Sequence, residues 1–419
     1  MLLGVLGTML SCAVLAAGVG LAVDLIGGFP LSLRDCLAIG AVFGATDTVS
    51  TLQVLSPSAA PALFALVLGE GCINDATSLA LLRAVEAAPS GVLSFCARFA
   101  YLITCSAALG IVIGLVASGT ARYVNVHLNS AAGDSVALEV AVIALGAYIA
   151  FLLAEALGLS GILALFAASL AISQYGLRCI SRNARSTTLH AFSTLSFLCE
   201  QTIFVYTGIA ALDTHAWTLA RPGEVFALVA SLGTLLLASR AMTVAAVAAT
   251  GNWLQGSAAH RLSFRDAAVV WWAGATRGAV SIAIATHHFA VVTPGREMRL
   301  PQPQPGTPEA EELRTHASVI AASFLMVLLS TVCFSSLTRP FLIRVLPEAV
   351  AAADGDGPSE CAWPSAPADN ENAAAVHSDA DSAPWFHRAW RGVDERFLAP
   401  LLLQEHTASR VNGAYTEMQ

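Results

Sequence analysis

The sequence contains no lysine; all 21 of its basic residues are arginine. The absence reads as coding bias, but a guanidinium buried in this chain stays charged where a lysine would titrate. Charge of either sign is scarce: 12% of the 419 residues are charged, where a soluble domain carries about 25%. With 56% apolar residues and a mean hydropathy of +0.68, the composition excludes a soluble globular domain and describes a polytopic membrane protein. Net charge is −8, much of it after residue 349, and nothing favours a nucleic-acid partner. The nine cysteines lack the spacing of a metal site or a disulfide framework. Cys12, Cys36, Cys72, Cys96, Cys105, Cys199 and Cys333 lie in apolar runs and read as small buried hydrophobes. The first apolar run has no basic region before it and is too long for a signal peptide, so it reads as a true span.

What the chain does have is long apolar runs. They fall near 3–26, 36–55, 61–85, 92–117, 136–155, 160–175, 192–212, 225–249, 267–289 and 317–346, about ten transmembrane helices. Connections are short except 291–315, whose prolines and polar residues predict irregular backbone. From 347 onward the composition turns polar and rich in Asp, Ala, Ser and Pro, too polar to bury a core. The domain reading is therefore a membrane domain over 1–348 and a largely disordered acidic tail over 349–419, with one amphipathic piece at 385–403. Arginines 178, 182, 185, 261, 265, 339 and 344 all fall on one side by parity, which makes that side, and the tail, cytosolic.

The third run carries Glu70, Asn74 and Asp75 near its middle. A carboxylate at mid-membrane costs roughly 2.5–3.5 kcal/mol on insertion scales, so such acids mark functional sites. In a helix Glu70 and Asn74 share a face, and Asp75 lies about 100° further round. The second run is interrupted by Gly44-Ala45-Thr46-Asp47-Thr48 and the ninth by Gly274-Ala275-Thr276-Arg277-Gly278. Two interrupted spans, one in each half, point to a midplane site built from inverted repeats, with Asp47 and Arg277 placed either to balance the half-helix dipoles or to attract and bind the ion. His287 and His288, near the end of the ninth run, read as interfacial histidines.

Several blocks, in order along the chain, resemble the cation/proton exchangers, closest to the plant-type vacuolar and endosomal Na⁺(K⁺)/H⁺ exchangers. They are AIGAVFGATDTVSTLQVL, LVLGEGCINDATS, FLLAEALGLSGILALF, TLSFLCEQTIFVYTGIAALDTHAW, SRAMTV, VVWWAGATRGAVSIAIA and SSLTRPFL. The resemblance implies the inverted-repeat antiporter fold with two interrupted crossing helices, and electroneutral exchange of Na⁺ or K⁺ for H⁺. It places the ion-binding and proton-releasing carboxylate on Asp75, next to Asn74, and crossing-helix residues on Thr46, Asp47 and Arg277. It pairs Glu70 with Arg240, and matches Glu155 and Glu200 to acidic positions of the family, which read either as gating residues or as snorkelling or helix-capping acids. It implies a homodimer in a vacuolar or endosomal membrane, with the plasma membrane as the alternative, and no cofactor and no enzyme chemistry. It also implies about three further helices ahead of the point where Met1 falls.

The mechanism read from these residues is competition: burial favours the protonated acid and a bound cation favours the ionised one, so the two displace each other at Asp75. Asn74 would contribute an amide oxygen and Thr46 a hydroxyl or backbone oxygen to a hard cation. Glu70 and Arg240 read as a structural ion pair. An ion channel would need a filter or a ring of repeated polar residues, and none is seen. The remaining alternative is a truncated, non-transporting fragment or regulatory subunit of a longer exchanger.

Overall fold

The structure, a computed structural model, describes residues 3–26, 31–87, 91–127, 135–211, 214–254, 263–289 and 308–355. Among the described residues it is helical throughout, with no strand. In chain order the helices are α1 (Thr8–Ile26, preceded by a π turn Leu3–Gly7), α2 (Leu33–Val42), α3 (Val49–Leu52), α4 (Pro61–Glu86), α5 (Val92–His127) and α6 (Ser135–Ala156). They continue as α7 (Gly161–Ala171, then a π turn Ile172–Gly176), α8 (Leu177–Cys179), α9 (Arg182–Ala211), α10 (Thr214–Leu219) and α11 (Pro222–Leu254). The last are α12 (Phe264–Ala273), α13 (Ala279–Phe289), α14 (Pro308–Ser330, then a π turn Thr331–Ser335), α15 (Ser336–Val345) and α16 (Pro347–Gly355).

Seven described segments are long and apolar enough to cross a membrane: those at Leu3–Val23, Pro61–Glu86, Val92–Val126, Val136–Ala156, Gly161–Cys179, Pro222–Thr250 and Leu313–Val345. The three other expected runs are of a different kind. Two are the broken pairs α2–α3 and α12–α13, whose ten-residue first helices are half the length a crossing needs. The third is α9, which carries Glu200, Gln201 and many hydroxyl residues.

The described residues form two compact units, one within 1–101 and 198–355 and the other within 102–197. In the first, α1 lies against α2 and α11, α4 against α2 and the Leu3–Gly7 turn, and α14 against α11 and α13. Leu55, Leu63, Val67, Val244, Val269, Val270 and Leu342 form an apolar cluster of this unit, contributed by α4 and the connection before it, α11, α12 and α15. In the second unit α6 packs on α7 around Ala117, Ala121, Ile143, Ala147 and Ile172. Gly114 lets α5 approach Ala168 of α7 so closely that a Cβ would lie 2.6 Å from its carbonyl oxygen. Helix α6 stops at Gly158, whose φ of 68° suits glycine, with Leu159 N–H donating to Ala154 O five residues back in a Schellman closure.

Several boundaries depart from the sequence reading. Helix α5 runs to His127, about a turn and a half of it polar, and α9 starts at Arg182, so Arg182 and Arg185 sit in its first turn and not in a loop. The Glu139 carboxylate, fully buried, accepts the Ser181 N–H at that helix start. The stretch 291–315, expected to be irregular, is helical from Pro308; residues 290–307 lie outside the described residues. Helix α16 stands where an unstructured tail was expected: Ala349 and Val350 are buried, and the Ala349 carbonyl accepts the Ser56 N–H. The tail beyond 355, including 385–403, lies outside the described residues. Among the cysteines Cys12 and Cys36 are buried, but Cys72, Cys96, Cys199 and Cys333 are on the outside of the fold, because apolar runs in a membrane protein also cover faces turned to lipid.

Candidate functional site

The two broken pairs are made the same way. Each first helix opens on a capping box, Ser32 with Asp35 for α2 and Ser263 with Asp266 for α12, and each runs ten residues before the backbone leaves helical geometry. The interruptions that follow, 43–48 and 274–278, meet and satisfy each other. Asp47 N–H donates to Thr276 O at 3.1 Å, and the Thr276 hydroxyl donates to Asp47 O. Arg277, 2% exposed, donates from Nη1 to Ala45 O at 2.8 Å, so its cation sits at the carbonyl end of α2. The Arg277 backbone is held from α14: its N–H donates to Ser330 Oγ and its carbonyl accepts from Thr331 Oγ1.

Asp47 answers from the other side. Its carboxylate accepts Val49 N–H at the start of α3, and a Cβ on Gly278, just before α13, would lie 3.0 Å from its Oδ2. An acid thus stands at two helix N-termini and a guanidinium at a C-terminus, the sense that the helix dipoles favour.

Helix α4 passes beside this crossing. Glu70, 3% exposed, is gripped by both Nη atoms of Arg240 on α11, 4% exposed, and Arg240 Nη2 also donates to Val270 O on α12. The pair ties three helices together. Gly274 lies flat against the guanidinium, and Gly71 makes room for the Thr48 hydroxyl one turn before Asp75. Asn74, also buried, donates from Nδ2 to Thr46 Oγ1 at 2.8 Å, while its Oδ1 accepts from Thr8 at 2.7 Å. The amide oxygen expected to face a cation is therefore already engaged by a helix-α1 hydroxyl.

Asp75 differs from all of these. It is half-buried and makes no hydrogen bond or ion pair among the described residues, and the charges within electrostatic reach of it are Asp47 and Arg277. Arg277 in turn feels Arg240, Glu70 and Asp75. The structure thus brings together Asp75, Asn74, Thr46, Asp47, Glu70, Arg240 and Arg277. Glu155 belongs to the second unit, where its Oε1 accepts Gly161 N–H and caps α7. Glu200 is a half-buried residue of α9 in the first unit. His287 is exposed, and His288 lies beside Glu86 with Nδ1 3.0 Å from its Oε1. Thr8, Ser330 and Thr331 were missed by the sequence reading, because a lone hydroxyl in an apolar run carries no spacing signal. The paired S-x-R-D starts at Ser32 and Ser263 were legible and would have marked both broken helices.

Comparison with known proteins identifies the family. The family model described as "Sodium/hydrogen exchanger, transmembrane" matches residues 1–344. The chain is 34% identical over 355 residues to "Sodium/hydrogen exchanger 2" of Arabidopsis thaliana, covering 83% of this chain and 61% of that protein. It is 35% identical over 356 residues to "Sodium/hydrogen exchanger 1" of Oryza sativa subsp. japonica, covering 83% and 62%. With "Sodium/hydrogen exchanger 1" of Arabidopsis thaliana the identity is 32% over 444 residues, covering 100% and 78%. The match to the first two of these relatives thus spans somewhat under two thirds of their length. Two broken helices crossing at a buried charge cluster, a family match over most of the chain and identities above 30% lead to one conclusion: the chain is an integral multi-pass membrane protein of the sodium/hydrogen exchanger family.

Proposed function

We propose that this chain exchanges a monovalent cation, Na⁺ or K⁺, for a proton across a membrane, by alternating access at Asp75. The observation that carries the reading is the contrast between Asp75 and its neighbours: Glu70 is fully paired, Asn74 is bonded at both ends, and Asp75 alone keeps its carboxylate uncommitted. Around the crossing stand three carboxylates, Asp47, Glu70 and Asp75, against two guanidiniums, Arg240 and Arg277. The excess of one negative charge is balanced by one proton or one monovalent cation, not both. Exclusive occupancy at one acid makes the exchange one for one and electroneutral.

Oxygen donors suited to a hard cation lie alongside: the Thr46 hydroxyl, the Asp47 carboxylate and backbone carbonyls of the unwound 43–48 segment. The same reading puts the chain in a vacuolar or endosomal membrane as a homodimer, as the family resemblance implies, with its tail in the cytosol, as the arginine distribution implies. The test is reconstitution of purified protein in vesicles carrying a pH-sensitive dye. A Na⁺ or K⁺ pulse is expected to drive proton movement that Asp75→Asn abolishes without loss of membrane insertion. Exchange by the Asn variant would overturn the assignment, and a wild-type chain unable to exchange would overturn the function.

A further inference from the structure

Thr8 lies where the π turn Leu3–Gly7 gives way to α1, 3% exposed, with its hydroxyl at two acceptors. Gly4 O is 2.6 Å away and Asn74 Oδ1 2.7 Å away. A hydroxyl has one proton, so the carbonyl and the amide compete for it. The rest of the helix is built to hold Thr8 at this height. Gly4 abuts Ile73, where a Cβ would come within 2.7 Å of the side chain, and Gly7 abuts Thr243 of α11. Ser11 then shares a hydrogen bond with Thr243 at 2.9 Å. The start of α1 is thus pinned between α4, which carries Asp75, and α11, which carries Arg240. A π turn at such a place is a local insertion that re-aims one side chain, and here the side chain after it is Thr8.

We propose that Thr8 is a positioning residue of the cation site, acting through Asn74; the inference rests on the exchange reading above and adds the control of Thr46. By taking the carbonyl end of the Asn74 amide, Thr8 turns the NH₂ end toward the crossing, where it donates to Thr46 Oγ1. Thr46, accepting from Asn74, keeps its own proton and one lone pair for the unwound segment around Asp47 and Asp75. Without the Thr8 hydroxyl the amide is free to turn over, and Thr46 then spends its proton on Asn74. The cation would meet a hydroxyl aimed differently, while the chain's fold and Asp75 itself stay as they were. The competing explanation is that the hydroxyl only satisfies Gly4 O inside the π turn. The two differ in what they predict for substrate affinity.

Thr8→Val keeps the shape and removes the hydroxyl; Thr8→Ser keeps the hydroxyl. In reconstituted exchange, Thr8→Val is expected to raise KM for Na⁺ by about 10–100-fold, as loss of an outer-shell partner does, with the maximal rate little changed. Thr8→Ser should return KM close to the wild-type value, and Thr8→Val should add nothing to Asn74→Ala. Thr8→Ala, the alternative if the Val variant does not fold, must show the same rise. A second readout does not need transport: the Na⁺ concentration that half-saturates thermal stabilisation of the purified protein should move with KM. A lowered melting temperature and maximal rate with unchanged KM would mean a structural role only and overturn the proposal. If the wild type binds Na⁺ but does not exchange, the exchange reading fails, and the half-saturation values alone decide for or against Thr8. No effect of either Na⁺ or K⁺ on the wild type would overturn both.

Discussion

A single methyl group on Gly274 tests the buried charge network more sharply than removal of either charge. The Gly274 backbone lies flat against Arg240, and a Cβ there would fall inside the van der Waals envelope of Nε, Cζ and Nη2. An arginine tip usually swings aside at little cost, but this one is held on its far side by both Glu70 oxygens and by Val270 O, 2.7 Å from Nη2. Gly274→Ala must therefore displace the guanidinium from Glu70 and leave two buried charges poorly matched. Breaking a buried pair costs about 3–5 kcal/mol. In a Glu70→Leu, Arg240→Met background the same methyl meets a flexible thioether, and overpacking there costs about 1–3 kcal/mol. The coupling between the methyl and the pair is then about 2 kcal/mol. Unfolding in detergent micelles, followed by heat or denaturant for the four proteins of the cycle, measures it. If Gly274→Ala costs the same in both backgrounds to within about 0.5 kcal/mol, the guanidinium is not held as described and the reasoning fails.

Gly71→Ala should place a methyl against the Thr48 hydroxyl, push the 43–48 segment away from Asp75, and lower the exchange rate by about 100-fold at unchanged expression, read in the vesicle assay; a rate near wild type would show that the segment yields freely. Thr276→Val deletes the donor to Asp47 O and should destabilise by about 1–3 kcal/mol, measured by unfolding, because the buried threonine is replaced by a side chain that cannot satisfy that carbonyl. Apparent Na⁺ affinity should fall as pH is lowered, since a protonated Asp75 cannot hold a cation; KM should rise toward about tenfold per pH unit at the acid end and level off at the alkaline end, and a pH-independent KM would exclude competition at one carboxylate.

The broken helices were legible because their interruptions combine glycine, hydroxyls and a charge in otherwise apolar runs, a pattern that packing alone does not require. Glu70 and Arg240 were legible as a pair from the family resemblance, and the structure adds what no spacing shows: that Val270 and Gly274 on α12 complete the cradle. Thr8 was illegible, since its role comes from a tertiary approach of helix α1 to α4, and a threonine in an apolar helix more often bonds its own backbone. Helix α16 was missed for the opposite reason. Its composition matches the polar tail that follows, and only the burial of Ala349 and Val350 against the α3–α4 connection sets it apart.

The reciprocal bonds at the crossing also bear on how the chain is made. Asp47 and Thr276 are 229 residues apart, and Ala45 and Arg277 232. A ribosome delivers the first half long before the second, so the unwound 43–48 segment enters the bilayer with the Asp47 N–H and the Ala45 and Asp47 carbonyls unmatched. In hydrocarbon each such group costs several kcal/mol, which neither half relieves alone. The two halves are therefore obligate partners in biogenesis as well as in function. The interval before residue 276 emerges is the stage at which the nascent protein is most exposed to misassembly and disposal.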